Sequence, residues 1–123
     1  MAKSVAIIGA SNDRNKFGNK AVRAFIRKGY RVFPVNPRVD EIERRRAYRS
    51  ILDIPSELDV VTVYVPPDIG LTLMEDISRK RPKKLYLNPG AESDELIRKA
   101  EALGLRPLLA CSIRAIGLSP EEV

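Results

Sequence analysis

Short apolar runs alternate with helical patterns along this chain. The runs are SVAIIG (Ser4 to Gly9), RVFPVN (Arg31 to Asn36), DVVTVYVPP (Asp59 to Pro67), KKLYLN (Lys83 to Asn88) and RPLLAC (Arg106 to Cys111). They are nearly continuous in apolar residues and rich in Val and Ile, as strands covered on both faces require. Between the first two, Ala21, Val22, Phe25 and Ile26 recur at helical spacing, with Arg27 and Lys28 in the last turn and Gly29 just past the end. After the third, Ile69, Leu73 and Ile77 repeat every four residues behind a candidate cap, Asp68. After the fourth, Ser93 supplies a cap and Asp94 and Glu95 an acidic first turn, before an apolar face of Leu96, Ala100 and Leu103 that stops at Gly104.

The stretch from Arg38 to Leu58 lacks such periodicity and carries Pro55, which predicts a loop with a short edge strand and one helical turn. No repeat, low-complexity tract or linker interrupts the chain. Strands alternating with helices make βαβ units, so the pattern predicts an α/β fold: a Rossmann-like domain over residues 1–123, three-layer α/β/α, with a mostly parallel five-stranded sheet. Right-handed crossovers suggest the strand order 3-2-1-4-5, which puts a ligand crevice between the first and fourth strands at their carboxyl ends.

Composition narrows the chemistry. The chain has 123 residues, enough for a core but not for separate nucleotide and substrate domains. It contains no histidine, which removes histidine triads, phosphohistidine intermediates and the commonest metal ligand. No apolar run approaches a membrane span and the first residues lead straight into a strand, so a cytoplasmic location is expected. The lone cysteine, Cys111, agrees with a reducing compartment. A net charge of +6 suits polyanionic partners, although the arginines of Arg38 to Arg49 stand among Asp40, Glu41 and Glu43 and also read as an ion-paired surface.

The loop after the first run is informative for what it lacks. A dinucleotide loop needs G-x-G-x-x-G, whereas here Gly9-Ala10-Ser11 is followed by a polar stretch, with Arg14 and Lys16, that reaches Gly18 only at the predicted helix start. Such a loop still offers backbone N–H groups and a helix amino end to an anion. At the end of the second strand, where NAD-binding domains place an acid for the ribose hydroxyls, the chain reads Asn36-Pro37-Arg38. An arginine there suits a ribose bearing a phosphate, as in NADP or coenzyme A. Val65-Pro66-Pro67 ends the third strand as a stiff apolar rim fit for an adenine wall, unless Pro67 only begins the next helix. Asn88-Pro89-Gly90 ends the fourth strand, and Cys111-Ser112 follows the fifth.

These residues together resemble the small coenzyme A-binding domain proteins, which look like a free-standing version of the N-terminal domain of the succinyl-CoA synthetase alpha subunit. The carriers are VAIIGAS with the late Gly18, GYRVFPVNP, YRSILDIP, DVVTVYVPP and GLRPLLACSI, and they cover nearly the whole chain. The resemblance implies coenzyme A laid across the strand ends. Gly9, Ala10 and Ser11 would face the phosphates with Lys16 and Gly18 nearby, and Asn36 and Arg38 would lie near the adenosine and its 3′-phosphate. Val65, Pro66 and Pro67 would flank the adenine, and Asn88 and Gly90 the pantetheine arm. The chain departs from many relatives at Leu87-Asn88-Pro89-Gly90, where an aromatic residue, a glutamine and a glycine are usual, and at Ser112, where proline is usual. The synthetase's phosphorylated histidine belongs to another domain, so synthetase activity is not expected.

The expectation is therefore a non-enzymatic coenzyme A or acyl-CoA binding module, with its protein partner open. Two other classes compete. One is a small NADP- or CoA-dependent enzyme using Cys111 as nucleophile, its thiol activated by Arg114 or a helix amino end. The other is nucleic-acid binding through Arg44, Arg45, Arg46 and Arg49, for which stacking aromatics are scarce.

Overall fold

Strand β1 (Ser4–Ile8) is buried along its whole length, and such a strand needs a neighbour on each edge and a layer on each face. The computed structural model, which describes residues 2–123, supplies both. On one edge lies β2 (Arg31–Val35), and on the other β5 (Val60–Val63), followed outward by β6 (Lys84–Leu87) and β7 (Pro107–Leu109). All pairings in this five-stranded sheet are parallel.

Residues of β1 alternate between two cores. Val5 and Ile7 join Ala21, Val22 and Phe25 of helix α1 (Phe17–Arg27), with Ile113 of the short α4 (Ser112–Ala115). Ala6 and Ile8 join Met74 and Ile77 of α2 (Pro67–Arg79), and Leu96 and Ala100 of α3 (Asp94–Ala102). Helices thus cover both faces, and the expected three-layer α/β/α class holds. Among the described residues no helix is long and apolar enough to cross a membrane.

The expected strand order is corrected. Numbering the sheet strands by the apolar runs, the order is 2-1-3-4-5 and not 3-2-1-4-5, because DVVTVYV lies directly beside β1. The physical reason lies in burial and in what occupies the far edge of β2. All four residues of β5 are buried, which a central place provides. The edge beyond β2 takes only one residue, Tyr48, in a parallel bridge to Val35. Around it the arginine-rich segment folds into a hairpin, β3 (Glu41–Ile42) with β4 (Arg45–Arg46), and a 3-10 turn at Ile51–Asp53. A polar stretch of this kind can line an edge but not fill a sheet centre.

Helix ends follow local chemistry. Past α1, Gly29 has φ +82°, its N–H donates to Ile26 O, and Tyr30 N–H donates to Phe25 O, while the Phe25 and Tyr30 rings meet edge-on at 4.8 Å. This is a Schellman closure with its hydrophobic contact. Gly104 and Leu105 close α3 in the same way. Ser93 caps α3 by accepting from Leu96 N–H, as expected. Asp68 does not cap α2: the helix starts at Pro67 behind Pro66, and Asp68 lies in its first turn. The apolar stripe of α2 is also shifted, since Gly70, Met74 and Ile77 are buried while Ile69 is 45% exposed.

Candidate functional site

The order of the strands reverses between β1 and β5, so the helices that follow them leave on opposite faces. Their parting opens a crevice of about 1030 Å³ over the carboxyl ends of the sheet. It therefore opens beside the third apolar run, not the fourth, yet both runs end on its wall.

The floor is the β1–α1 loop. Gly9 has φ +88°, and a Cβ there would sit 3.0 Å from Val65 Cγ1 and 3.1 Å from the Tyr64 carbonyl carbon. Gly18 is more constrained, since a Cβ would stand 2.1 Å from Gly9 O. The two glycines let the first turn of α1 press onto the end of β1. Fully buried Asn19 holds the loop by donating to Ser11 O at 2.8 Å, and it also donates to Glu43 Oε2 at 3.1 Å. Asn12 donates to Glu41 O, so the β3–β4 hairpin clamps the loop from outside. No side chain caps α1, and its first turn contains no acid. The N–H groups of Phe17 and Gly18 have no intrahelical acceptor, and Lys16 precedes them on the crevice wall. This end of the crevice is electropositive and suited to phosphate.

At the end of β2, Asn36 donates to Ala10 O at 2.9 Å and accepts from Arg38 N–H at 2.8 Å, tying the strand end to the loop. Arg38 and Arg49 both line the mouth there.

The opposite wall is apolar, formed by Val65, Pro66, Ile69 and Leu73. Below it lies a closed polar network. Asn88 Nδ2 donates to Thr62 Oγ1 at 2.6 Å and to Val63 O at 2.9 Å, while Asn88 Oδ1 accepts from Ser112 N–H at 2.8 Å. Thr62 donates to Ser112 Oγ at 2.8 Å, and the Tyr64 hydroxyl meets that same oxygen at 2.9 Å. Burial pushes the Tyr64 pKa up to about 12, so its hydroxyl keeps its proton beyond the usual phenol range. Asn88 also opens the turn through Pro89 to Gly90, whose φ of +92° calls for glycine. The Ser112 N–H that Asn88 Oδ1 accepts is one that proline, the residue the resemblance would put there, does not have.

Eleven of the residues expected at the site therefore line one crevice: Gly9, Ala10, Ser11, Lys16 and Gly18 on the floor, Asn36 and Arg38 at the mouth, and Val65, Pro66, Asn88 and Gly90 on the far wall. Pro67 does not, being the first residue of α2. Cys111 lines the crevice with half-buried side chain, and Arg114 also reaches it but pairs with Glu121 at 3.7 Å. Of the arginine cluster Arg44, Arg45, Arg46 and Arg49, only Arg49 reaches the crevice. Sequence reasoning gave Arg49 to a nucleic-acid surface instead, and it missed Tyr64, Phe17 and the C-terminal Pro120 and Glu121. The last two had a readable signal: Ser119 and Glu122 form a capping box, S-x-x-E, that folds the terminus back beside α1, where Lys20 donates to Pro120 O. Among the described residues no group of three or more His, Cys, Asp or Glu side chains is placed to hold a metal ion.

The chain is similar to known proteins over most of its length. A family model described as CoA binding domain matches residues 3–116. The alpha subunit of the ADP-forming acetate–CoA ligase II of Pyrococcus furiosus is 38% identical over 115 residues, covering 85% of this chain and 25% of that subunit. The ADP-forming acetate–CoA ligase II of Archaeoglobus fulgidus is 37% identical over 101 residues, covering 80% of this chain and 15% of the ligase. The chain thus spans a quarter or less of the length of these two ligases. A solved structure of a hypothetical protein from Pyrococcus horikoshii superposes with a TM-score of 0.84 at 31% identity, over 92% of this chain and 80% of that one.

Proposed function

Since the chain belongs to the CoA-binding domain family, we propose that it is a non-catalytic coenzyme A or acyl-CoA binding module over residues 1–123, with the CoA phosphates held by the loop after β1. The observation that carries this reading is the open amino end of α1. Gly18 packed on Gly9 brings that uncapped, acid-free helix end onto the crevice floor beside Lys16. An anion there gains from free N–H groups, the helix dipole and a lysine together. In this reading Gly9, Ala10 and Ser11 face the diphosphate, and Arg38, its backbone fixed by Asn36, faces the 3′-phosphate. Val65 and Pro66 flank the adenine, while Pro67 serves only to start α2. Gly90 borders the pantetheine arm, and Asn88 shapes that border through its turn, because its amide is already engaged.

The non-catalytic form is supported by the groups at the thiol end. Tyr64 is neutral and bonded to Ser112, and the chain has no histidine to take a proton from Cys111. A second reading has an observation of its own: 38% identity to a ligase alpha subunit of which the chain spans 25%. On that reading the module presents CoA to a ligase-like partner that supplies the remaining chemistry.

Calorimetric titration of ligand-free protein with coenzyme A, 3′-dephospho-coenzyme A, NAD and NADP tests the proposal. Selective coenzyme A binding is expected. A preference for NADP would replace it with the reductase reading, and absence of binding to all four would leave the fold without the ligand.

A further inference from the structure

We infer that Arg49 is a second phosphate arm at the crevice mouth, working with Arg38 and held by Asp40 while the mouth is empty. The inference rests on the coenzyme A reading above and adds to it a residue which that reading does not use. Of the five arginines between Arg38 and Arg49, only these two line the crevice. They arrive from separate segments, and both segments are pinned to the end of β2. Arg38 follows the Asn36 turn, where Asn36 Oδ1 accepts its N–H. Arg49 follows Tyr48, whose N–H donates to Pro34 O at 2.8 Å and whose carbonyl accepts from Asn36 N–H at 2.9 Å. On its other side Ser50 Oγ accepts from Leu52 N–H, so the backbone at residue 49 is fixed from both directions.

The side chain is less committed than the backbone. It meets Asp40 Oδ1 at 3.6 Å, with the two side chains 69% and 90% exposed. Ion pairs this exposed contribute little. A phosphate monoester carries more charge than a carboxylate and accepts the planar guanidinium fork in two hydrogen bonds. Exchange of Asp40 for such a group is therefore favourable, and two arginines converging on one mouth suit a dianion better than one. A phosphate monoester on an adenosine ribose could be the 3′-phosphate of coenzyme A or the 2′-phosphate of NADP.

The test is calorimetry of wild-type, Arg49→Gln and Asp40→Asn proteins with coenzyme A, 3′-dephospho-coenzyme A, adenosine 3′,5′-bisphosphate and NADP. Arg49→Gln is expected to weaken coenzyme A and the bisphosphate about tenfold and to leave the dephospho form unchanged. Asp40→Asn is expected to tighten the phosphorylated ligands roughly two- to threefold, by freeing the arm. Unchanged dephospho-coenzyme A affinity in both variants doubles as the check that they fold. Equal loss for both coenzyme A forms, or none for either, overturns the role of Arg49 while leaving the coenzyme A reading intact. A tenfold loss confined to NADP keeps the arm and overturns the coenzyme A reading. Failure of wild-type protein to bind any of the four overturns both.

Discussion

At the end of β1 the crevice wall is polar and open, whereas at the ends of β6 and β7 it is polar and closed. The first region has an uncapped helix, two crowded glycines and a lysine, all arranged around donors with no partner inside the helix. The second engages every side-chain polar atom it buries: Asn88, Thr62, Tyr64 and Ser112 satisfy one another, and among the described residues no buried side-chain nitrogen or oxygen lacks a partner. Both border one cavity: Gly9, Ser11 and Lys16 line it at one end and Tyr64 and Asn88 at the other, with Thr62 and Ser112 fully buried behind them. What differs is whether hydrogen-bonding capacity is left for something else. Open capacity at a strand end is what an anion needs, and closed capacity is what keeps the opposite wall rigid.

The comparison breaks most severely at Gly18. Gly18→Ala puts a Cβ within collision distance of the Gly9 carbonyl, a backbone atom that cannot swing aside, so α1 must lift from β1. A loss of about 3–4 kcal/mol is expected in urea unfolding, with coenzyme A binding abolished in whatever remains folded. Unchanged stability would show that the close approach of helix and strand is not needed. The closed end comes next. Asn88→Ala strands Ser112 N–H and removes bonds to Thr62 and Val63, for an expected loss of about 2–3 kcal/mol. Its effect should fall on unfolding and on the alignment of Ser112, not on the phosphate end. Full stability in that variant, or a selective loss of affinity for adenosine 3′,5′-bisphosphate, would contradict the division.

These two ends were unequally legible in the sequence. Helix closures at Gly29 and Gly104 and the Ser93 cap could be read because each depends on a few neighbouring residues. Strand order could not, since it is decided by how completely Val60–Val63 must be buried and by what else can occupy the edge of β2. The error left the site almost untouched: a parallel sheet brings every carboxyl end to one side in any order, so Gly9, Asn36, Val65 and Asn88 converge regardless. Two crevice residues were read differently, Arg49 as part of an arginine-rich surface and Tyr64 as part of an apolar run. Arg49 arrives through a one-residue bridge, and Tyr64 reads as one more apolar strand position until its hydroxyl is seen to meet Ser112.

A smaller effect sharpens the comparison without unfolding anything. Lys16→Ala removes a crevice-lining charge at the open end, where its side chain takes no part in capping α1. Stability should stay within about 0.5 kcal/mol of wild type, while coenzyme A affinity falls about tenfold and becomes less sensitive to salt. Loss of stability with retained affinity would reverse the roles assigned to the two ends.

The gentlest perturbation is Tyr64→Phe, which removes a single hydroxyl from the closed network. Ser112 Oγ keeps its bond from Thr62 at 2.8 Å, so the expected cost is only about 1 kcal/mol. The pH dependence is more telling. Burial raises the Tyr64 pKa to about 12 in the folded protein, against about 10 for an unfolded tyrosine. Because the folded value is the higher one, the neutral hydroxyl contributes its stability fully below about pH 10, and that contribution is lost as pH climbs towards about 12. Wild-type protein should therefore lose more stability than Tyr64→Phe between about pH 8 and about pH 11, measured by urea midpoints at each pH. Phenolate absorbance should also lose its latest-titrating tyrosine in the variant, while Tyr30, whose pKa burial likewise raises, still titrates late in both proteins. If instead both proteins lose stability equally, water reaches the Tyr64 hydroxyl, and the wall beneath Cys111 is as open as the loop after β1.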